Sequence, residues 1–323
     1  MSLLHTLKRN KVLILSGPTA TGKTGLAIEL ACDLKQASNK TIEMEIVNFD
    51  SLLFYHELKI GTAAPSSEEL ALVPHHMVGI VSITTPLNAH DFVVRAQQVI
   101  EKLLCLGKVP VLVGGSGFYL RALLNGMYDS PSTLEHITKR SQQLYDSAGI
   151  HPFLEILQQV DSDYFKQVHS NDHYRVRRAV EHYWMHNTPF SALKRQQQLP
   201  THGWELCHLG LDLPKDLHAE VIGARTLKML ERGLIEEVRQ LLSSGFKGSE
   251  RPLQSIGYKE VQAYLRGEIL DQASLIEAII LSTKHLAKAQ RTWFKKVKDQ
   301  EMFSPHKERQ QIFNRVYRFL EVK

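Results

Sequence analysis

The chain has 323 residues, of which 43% are hydrophobic, and this length suits one large domain or two modest ones. No apolar stretch approaches the length of a membrane span, and the first residues do not read as a signal peptide. We therefore expect a cytoplasmic protein with no membrane partner. Cys32, Cys105 and Cys207 lie in apolar patterns without metal-ligand spacing, which favours reduced thiols over a metal site.

A phosphate-binding loop is predicted close to the start of the chain. Residues 12–15 form an apolar run typical of a strand, residues 26–31 have helical spacing, and residues 17–24 between them read GPTATGKT. The backbone amides of such a loop cradle a di- or triphosphate, Lys23 reaches its outer oxygens, and the Thr24 hydroxyl holds a magnesium ion. The predicted diphosphate-binding residues are Gly17, Pro18, Thr19, Ala20, Thr21, Gly22, Lys23 and Thr24.

Further apolar runs predict the rest of a parallel sheet. Residues 46–49 and 109–113 read as buried strands, and residues 207–212 could return another strand to the same sheet. Helical patterns separate these runs, most clearly at residues 89–106. The alternation predicts an α/β fold with a P-loop NTPase-like parallel sheet core. Since ligands bind beyond the carboxyl ends of such strands, the loops after the first three strands should converge on one crevice.

The composition changes in the middle of the chain, which predicts a second domain. Residues 133–190 read as helices rich in Gln, His and Tyr, and breaks rich in Pro, Ser or Gln lie at residues 129–132 and 196–203. From residue 217 onward the pattern is helical to the end of the chain. We predict a catalytic core with C-terminal helices at residues 1–129 and 201–323, and a helical insertion domain at residues 130–200.

Positive charge is concentrated in two islands on an otherwise acidic body. Residues 173–195 carry five Lys or Arg against one acid, and residues 281–298 carry six with no acid. Such islands suggest a polyanionic partner larger than a nucleotide, although a solvated lysine face is the ordinary explanation of the second island. Its cations recur with helical spacing and predict a single stripe on one helix, formed by Lys284, Lys288, Arg291, Lys295 and Lys298.

Asp50 follows the second predicted strand, so its carboxylate should point into the phosphate crevice. The residues alone leave three roles open for Asp50: a magnesium ligand of a hydrolytic enzyme, a general base acting beside a bound diphosphate, or a solvated loop residue. The third strand ends in the sequence GGSG at residues 114–117, without an acid. This favours, weakly, a reaction other than simple hydrolysis.

A series of motifs resembles the tRNA dimethylallyltransferase (tRNA isopentenyltransferase) family in its bacterial form. The resemblance extends from residue 11 to about residue 298. Besides the phosphate loop, the motifs are NFDSLLFYHELKIGTAAP at 48–65, VPHHM at 73–77, GKVPVLVGGSGFYLRALLNG at 107–126, MLERGLIEEV at 229–238, SIGYKE at 255–260 and LAKAQRTWFKK at 286–296.

The resemblance implies transfer of a dimethylallyl group from dimethylallyl diphosphate to the exocyclic amine of the adenosine that follows the anticodon in tRNA. The phosphate loop would then hold a leaving diphosphate, whose growing charge its amides, Lys23 and Mg2+ would neutralise. The implied catalytic residues are Asp50 as general base, Ser116 near the acceptor adenine in place of the usual Thr, and Arg225 facing the diphosphate.

The resemblance also implies contacts with tRNA, and we expect a monomer that binds tRNA through the insertion and both basic islands. Since the adenine must reach a buried site, it would leave its base stack. The predicted tRNA-binding residues are Asp50, Ser51, Leu52, Leu53, Ser116, Lys139, Tyr174, Arg175, Val176, Arg177, Arg178, Gln254, Ser255, Ile256, Gly257, Tyr258, Lys259, Lys284, Lys288 and Arg291.

The chain departs from the family pattern at several positions, which bear on tRNA affinity more than on the chemical step. Either Lys139 or Arg140 stands for a family arginine expected near residue 138. The other departures are Ala64 for Lys, Gly79 for Asp, Tyr174 for Gln and Ala289 for Arg.

Three other functions stay open at this stage. An isopentenyltransferase that uses free adenine nucleotide would need neither the insertion nor the basic islands. A small-molecule kinase would share the loop and the sheet but depend on ATP. A non-catalytic RNA-binding protein would not need the intact loop and Asp50.

Overall fold

A parallel β-sheet forms the centre of the larger of two compact units, in a computed structural model that describes residues 10–126, 133–195 and 202–322. Its strands in the described residues are β1 (Lys11–Ser16), β2 (Met44–Asn48), β3 (His75–His76), β4 (Val109–Gly114), β5 (Glu205–Leu211) and β6 (Glu301–Phe303). The strand order is β3-β2-β4-β1-β5-β6, and every neighbouring pair is parallel. The predicted α/β fold is confirmed.

The two edge strands are not foreseen by the sequence pattern. β3 has two residues and β6 has three, too few to show any alternation of polar and apolar residues. Tertiary pairing fixes them instead, with Ile46 beside His75 and Leu209 beside Glu301. The prediction that the chain is helical from residue 217 to its end is therefore wrong at β6.

Helices cover the sheet and bury its central strands. β1 and β4 are buried at every residue, as expected for parallel strands covered on both faces. Leu13 and Leu15 of β1 share one hydrophobic cluster with Leu30 and Leu34 of the first helix. The first helices are α1 (Lys23–Ala37), α2 (Ser67–Leu72), α3 (Ala89–Cys105) and α4 (Gly117–Asn125). The sheet therefore holds the loops at its carboxyl edge on a rigid base.

The second compact unit comprises the described residues 88–90, 122–126 and 133–195. Its own core includes Phe153, Leu157, Val176 and Val180, each with no exposed surface. The break predicted at 129–132 and most of the one at 196–203 lie outside the described residues. Its helices are α5 (Glu135–Ala148), α6 (His151–Val160), α7 (Ser162–Phe165), α8 (His173–His186) and α9 (Phe190–Arg195).

The chain then returns to the larger unit and adds a second layer of helices. These are α10 (Lys215–Glu231), α11 (Leu234–Ser243), α12 (Tyr258–Leu265), α13 (Gln272–Phe294) and α14 (Arg309–Leu320). Leu234, Tyr258 and Ile279 from three of them share a buried cluster with Tyr55 and Leu58, which follow β2. None of the helices that the structure describes is long and apolar enough to cross a membrane.

One carboxylate joins three of the sequence motifs. Glu237 of α11 accepts hydrogen bonds from the backbone amides of Lys59 (3.1 Å), Ile60 (2.8 Å) and Gly61 (3.2 Å). It also accepts one from the Tyr258 hydroxyl at 2.7 Å. Burial, followed by the charge of Glu237, raises the pKa of Tyr258, so the phenol keeps its proton and donates. The motif residues thus fix the loop at 59–61 against the C-terminal helices.

Gly61 is required by this packing, which gives a test of the fold. A Cβ at Gly61 would lie 2.5 Å from the Tyr258 ring, whereas one at Gly223 of α10 would find its nearest atom at 3.9 Å. We expect Gly61→Ala to lower the free energy of unfolding by about 1–3 kcal/mol, the usual cost of overpacking. Gly223→Ala should raise it by roughly 0.5–1 kcal/mol, since Ala favours the helix. Urea unfolding measures both, and equal midpoints for the two variants would contradict the close contact.

Candidate active site

The phosphate loop connects β1 to α1 with a backbone that most residues avoid. Its φ angles are positive at Gly17 (140°), Ala20 (62°) and Gly22 (82°). A Cβ at Gly17 would lie 2.2 Å from the carbonyl oxygen of Leu211, so only glycine fits there. Gly22 caps α1, and amides in the first turn of a helix have no partner within the helix. These amides and the helix dipole make the loop a site for an anion.

Lys23 is held over the loop and is only partly exposed. Its ammonium donates to the carbonyl oxygen of Pro18 at 2.6 Å. Burial lowers the pKa of Lys23 to about 8; the charge of Asp50 opposes this shift and that of Arg225 adds to it. A bound polyphosphate would stabilise the charged ammonium, which the protein alone does only in part.

Two cavities adjoin at the carboxyl edge of the sheet. The smaller, of about 200 Å³, is lined by the phosphate loop and by the end of β2. The larger, of about 420 Å³, is lined by the loops after β2 and β4 and by the C-terminal helices. The residues that line both cavities are Thr19, Asp50, Thr62 and Arg225. The predicted loops therefore do converge, and groups bound in the two cavities would meet beside Asp50.

Asp50 is positioned by hydrogen bonds at the end of β2. Its amide donates to Oδ1 of Asn48 at 2.8 Å, and its own Oδ1 accepts from the amide of Leu52 at 3.2 Å. Among the described residues that line the smaller cavity, it is the one carboxylate. This arrangement holds a single acid at the border of the two cavities.

Arg225 of α10 is the second cation at this border. Its guanidinium donates to the carbonyl oxygen of Thr62 at 3.3 Å. Burial lowers the pKa of Arg225 and the charge of Asp50 opposes that shift, but an arginine stays charged under ordinary conditions. Lys23 and Arg225 thus share Asp50 as a neighbouring anion, which leaves an excess of positive charge.

The larger cavity combines apolar walls with a few polar groups. Ser116, just before α4, accepts a hydrogen bond from the amide of Ser51 at 3.2 Å and faces this cavity. Its apolar lining includes Leu52, Tyr55, Pro86, Leu87, Ile222, Met229, Ile256, Ile279 and Leu286. Apolar walls with few convergent polar groups are typical of a small-molecule or base pocket.

Comparison with known proteins decides the family. A family model described as IPP transferase matches residues 53–297. The chain belongs to this family. The match spans most of the loop after β2, the insertion and the C-terminal helices, and it begins after the phosphate loop and Asp50.

Individual members of the IPP transferase family agree over nearly the whole chain. A tRNA dimethylallyltransferase 1 of Trichlorobacter lovleyi is 37% identical over 285 residues, which cover 88% of this chain and 90% of the relative. One of Citrifermentans bemidjiense is 38% identical and covers 90% and 91%. The full-length tRNA isopentenylpyrophosphate transferase of Bacillus halodurans matches with a TM-score of 0.68 at 28% identity over 97% of each chain.

A solved structure of a eukaryotic member is also similar. That structure shows a dimethylallyltransferase acting on tRNA, and it matches with a TM-score of 0.76 at 25% identity. It covers 95% of this chain, which in turn covers 78% of that one. The family resemblance that the motifs predicted is confirmed.

Many of the positions predicted to contact tRNA do lie at the larger cavity. Those that line it are Asp50, Ser51, Leu52, Ser116, Gln254, Ser255 and Ile256, while Leu53 lines the smaller cavity. In the second unit, Tyr174, Arg175 and Lys139 are exposed, and α8 carries Arg178 on the same side as Arg175. These positions remain predictions of tRNA contact.

Two other predicted contacts are wrong for their side chains. Tyr258 and Val176 have no exposed surface. The Tyr258 hydroxyl is bonded to Glu237, and Val176 packs in the same cluster as Phe153. Their motifs are apolar at these positions because the side chains support the fold.

Three basic residues of the second unit have structural partners. Arg177 donates to Ser141 at 3.2 Å, and its guanidinium lies over the Tyr145 ring, 4.5 Å from the centroid. Arg140 lies over the Trp184 ring at 4.1 Å. Arg178 pairs with Glu181 at 3.0 Å. Arginine stacked on an aromatic ring contributes to packing as well as to charge.

The predicted stripe of cations on one helix is only partly present. Lys284 and Lys288 are exposed on α13, but the helix ends at Phe294, so Lys295 and Lys298 both lie beyond it. Arg291 points inward, and its guanidinium is bonded to both carboxylate oxygens of Asp212 at 2.7–2.9 Å. The prediction that Arg291 belongs to an exposed stripe is wrong, because its hydrogen bonds to Asp212 turn the side chain away from the surface.

Sequence reasoning missed residues that support the phosphate loop. Gln290 of α13 accepts a hydrogen bond from the amide of Thr19 at 2.7 Å, and His218 of α10 bonds to the carbonyl oxygen of Thr19 at 2.8 Å. Gln290 lies in the 286–296 motif, in which the basic residues alone indicated a function. His218 stands in no motif, so no sequence signal could have found it.

The lowered pKa of Lys23 gives a pH test of the anion site. The ammonium loses its proton as the pH rises through about 8, so affinity for inorganic pyrophosphate should fall across that range. Isothermal titration at several pH values measures the affinity, with Lys23→Ala as the comparison. The ratio of the two affinities should shrink above pH 8, and a ratio that stays constant would show that Lys23 does not contact the anion.

Proposed function

We propose that this protein transfers a dimethylallyl group from dimethylallyl diphosphate to the exocyclic amine of the adenosine that follows the anticodon in tRNA. The observation that carries the proposal is the border between the two cavities. It puts an anion site, a carboxylate and a base-sized pocket side by side, with Asp50 and Arg225 lining both. Membership of the IPP transferase family supports the same chemistry.

The proposed reaction is a displacement at carbon. The amine nitrogen attacks the first carbon of the allyl group, the C–O bond to the diphosphate breaks, and the diphosphate leaves with the electron pair. The loop amides, Lys23 and Arg225 stabilise the charge that grows on the leaving group. Asp50 accepts the proton that the amine loses as it is alkylated. The Ser116 hydroxyl orients the adenine.

Magnesium fits this site as an ion shared with the substrate. Thr24 lines the smaller cavity beside Asp50, and no cluster of three or more His, Cys, Asp or Glu occurs in the ranges that the structure describes. Mg2+ is commonly held by one or two protein ligands together with substrate phosphates. The Thr24 hydroxyl would hold the ion, which would supply further neutralisation of the diphosphate.

A tRNA would use charged residues well outside the cavities. Arg175 is 67% exposed and Lys139 71%, and both carry their charge to the surface of the second unit. Lys284 and Lys288 do the same on α13 of the larger unit. Phosphate contacts of this kind give affinity that falls with salt. We also propose that the protein is cytoplasmic and that it acts as a monomer.

The direct test offers the protein three acceptors. It is incubated with dimethylallyl diphosphate and Mg2+ and with unmodified tRNA, AMP or a small-molecule alcohol plus ATP. The tRNA is digested to nucleosides, the other samples are left intact, and the products are analysed by mass spectrometry. We expect a dimethylallyl adenosine only in the tRNA sample. Prenylated AMP would favour the free-nucleotide transferase, ADP formation would favour a kinase, and no product with any acceptor would favour an RNA-binding protein.

Asp50 gives the sharpest mutational prediction. Asp50→Asn keeps the shape and removes the charge, so both substrates should still bind while the chemical step slows by roughly 100-fold or more. Single-turnover rates at saturating tRNA measure that step. If added magnesium restored the rate, Asp50 would be a metal ligand instead of the base.

Two arginines test the second unit: Arg175, which is exposed, and Arg178, which is partly buried beside Glu181. Arg175→Ala and Arg178→Ala should each raise the KM for tRNA by about 3-fold to 10-fold and make it less dependent on salt, with little effect on the KM for the diphosphate. Steady-state kinetics at two salt concentrations measure this. Lys166→Ala, an exposed cation of the same unit outside the predicted contacts, is the matched control. An equal effect of all three would mean that only net charge matters.

A further inference from the structure

Gln290 uses both ends of its side-chain amide to join two loops of the site. Its Oε1 accepts from the amide of Thr19 at 2.7 Å, and its Nε2 donates to the carbonyl oxygen of Gly115 at 2.9 Å. Thr19 belongs to the phosphate loop, and Gly115 directly precedes Ser116. A Cβ at Gly115 would lie 2.5 Å from Nε2, so the loop passes directly against this amide.

Arg291, the next residue of α13, contacts the carbonyl side of Thr19 indirectly, through His218. Arg291 donates to Nδ1 of His218 at 2.9 Å while it holds Asp212, and Nε2 of His218 lies 2.8 Å from the carbonyl oxygen of Thr19. A guanidinium can only donate, so Nδ1 is the acceptor and Nε2 carries the proton given to Thr19. Burial, and then the charges of Arg291 and Lys23, lower the pKa of His218 against the opposing effects of Thr19 and Asp212, which agrees with a neutral ring.

Thr19 is thus bonded on both of its peptide groups, at a strained point of the backbone. The residue that follows it, Ala20, has a φ of 62°, which residues other than glycine rarely adopt. Thr19 itself lines both cavities. Any shift of this residue would move the anion site relative to the acceptor side.

We propose that Gln290 and His218 are positioning residues that hold Thr19 from both sides, and that Gln290 sets the distance between the phosphate loop and the loop carrying Ser116. The proposal rests on the proposed function for its catalytic consequence, because reacting groups misplaced by about 1 Å react far more slowly. Gln290 also lines the larger cavity, whereas His218 lines neither cavity. In the proposed role each acts through the loop to which it is bonded.

Two variants separate the contribution of Gln290 from that of His218. Gln290→Met keeps the length of the side chain and removes both of its hydrogen bonds to the loops, whereas His218→Ala removes the bond to the Thr19 carbonyl together with the one from Arg291. We expect each variant to weaken binding of inorganic pyrophosphate by about 3-fold to 10-fold, the usual effect of one hydrogen bond. In addition, Gln290→Met should lower kcat at saturating substrates by about 10-fold or more, whereas His218→Ala should affect the pyrophosphate affinity more than kcat.

The matched control is Gln272→Ala, an exposed glutamine at the start of the same helix. Thermal unfolding under the assay conditions accompanies each titration, so that a loss of folded protein is not counted as a loss of affinity. Pyrophosphate affinities of Gln290→Met and His218→Ala within twofold of the control would overturn the proposal. The titration needs no tRNA, so it decides this point even if the proposed transfer to tRNA fails.

Discussion

The site depends on an imbalance of charge at the carboxyl edge of the sheet. Lys23 and Arg225 both interact with the carboxylate of Asp50, and burial lowers the pKa of each cation. One acid cannot compensate two partly buried cations, so this arrangement of charges becomes favourable when an anion is bound. The free amides of α1 add to the same field. A bound diphosphate would complete this arrangement, and a leaving diphosphate, with its growing charge, would complete it better than an ester would.

The rest of the fold keeps the loops around this charge in place. The carboxylate of Glu237 fixes the loop at residues 59–61, and α13 fixes the phosphate loop through Gln290. Both supports come from the C-terminal helices, more than 170 residues away in sequence. The conformation of the loops therefore depends on tertiary contacts as well as on their own sequences. A site that must align a leaving group, a base and an acceptor gains from such rigid support.

Much of this could be predicted from the sequence, for physical reasons that differ between residues. The strand–loop–helix around Lys23 is local and periodic, so its pattern alone identifies it. Asp50 could be placed in the crevice because parallel strands end at one edge, although its role required the family resemblance. The short strands β3 and β6 depend on pairing with distant residues and leave no local pattern.

Side-chain direction was the hardest feature to predict. Arg291 shares the helical spacing of the exposed lysines, yet Asp212 turns it inward, and nothing in the spacing reveals that partner. Tyr258 and Val176 lie in motifs that suggest contact with tRNA, but each is buried. His218 carries no signal at all, since its importance comes from the position of Thr19. Periodicity predicts which residues share one face of a helix or strand, whereas the residues that they contact are determined by the whole fold.

The central claim is that the diphosphate and the acceptor occupy different cavities that meet at Asp50. A crystal structure of the protein with magnesium and pyrophosphate tests it most directly. We expect pyrophosphate in the smaller cavity, against the amides at the start of α1 and close to Lys23 and Arg225, with the larger cavity left free beside Ser116. Pyrophosphate bound in the larger cavity would contradict this division between the two cavities.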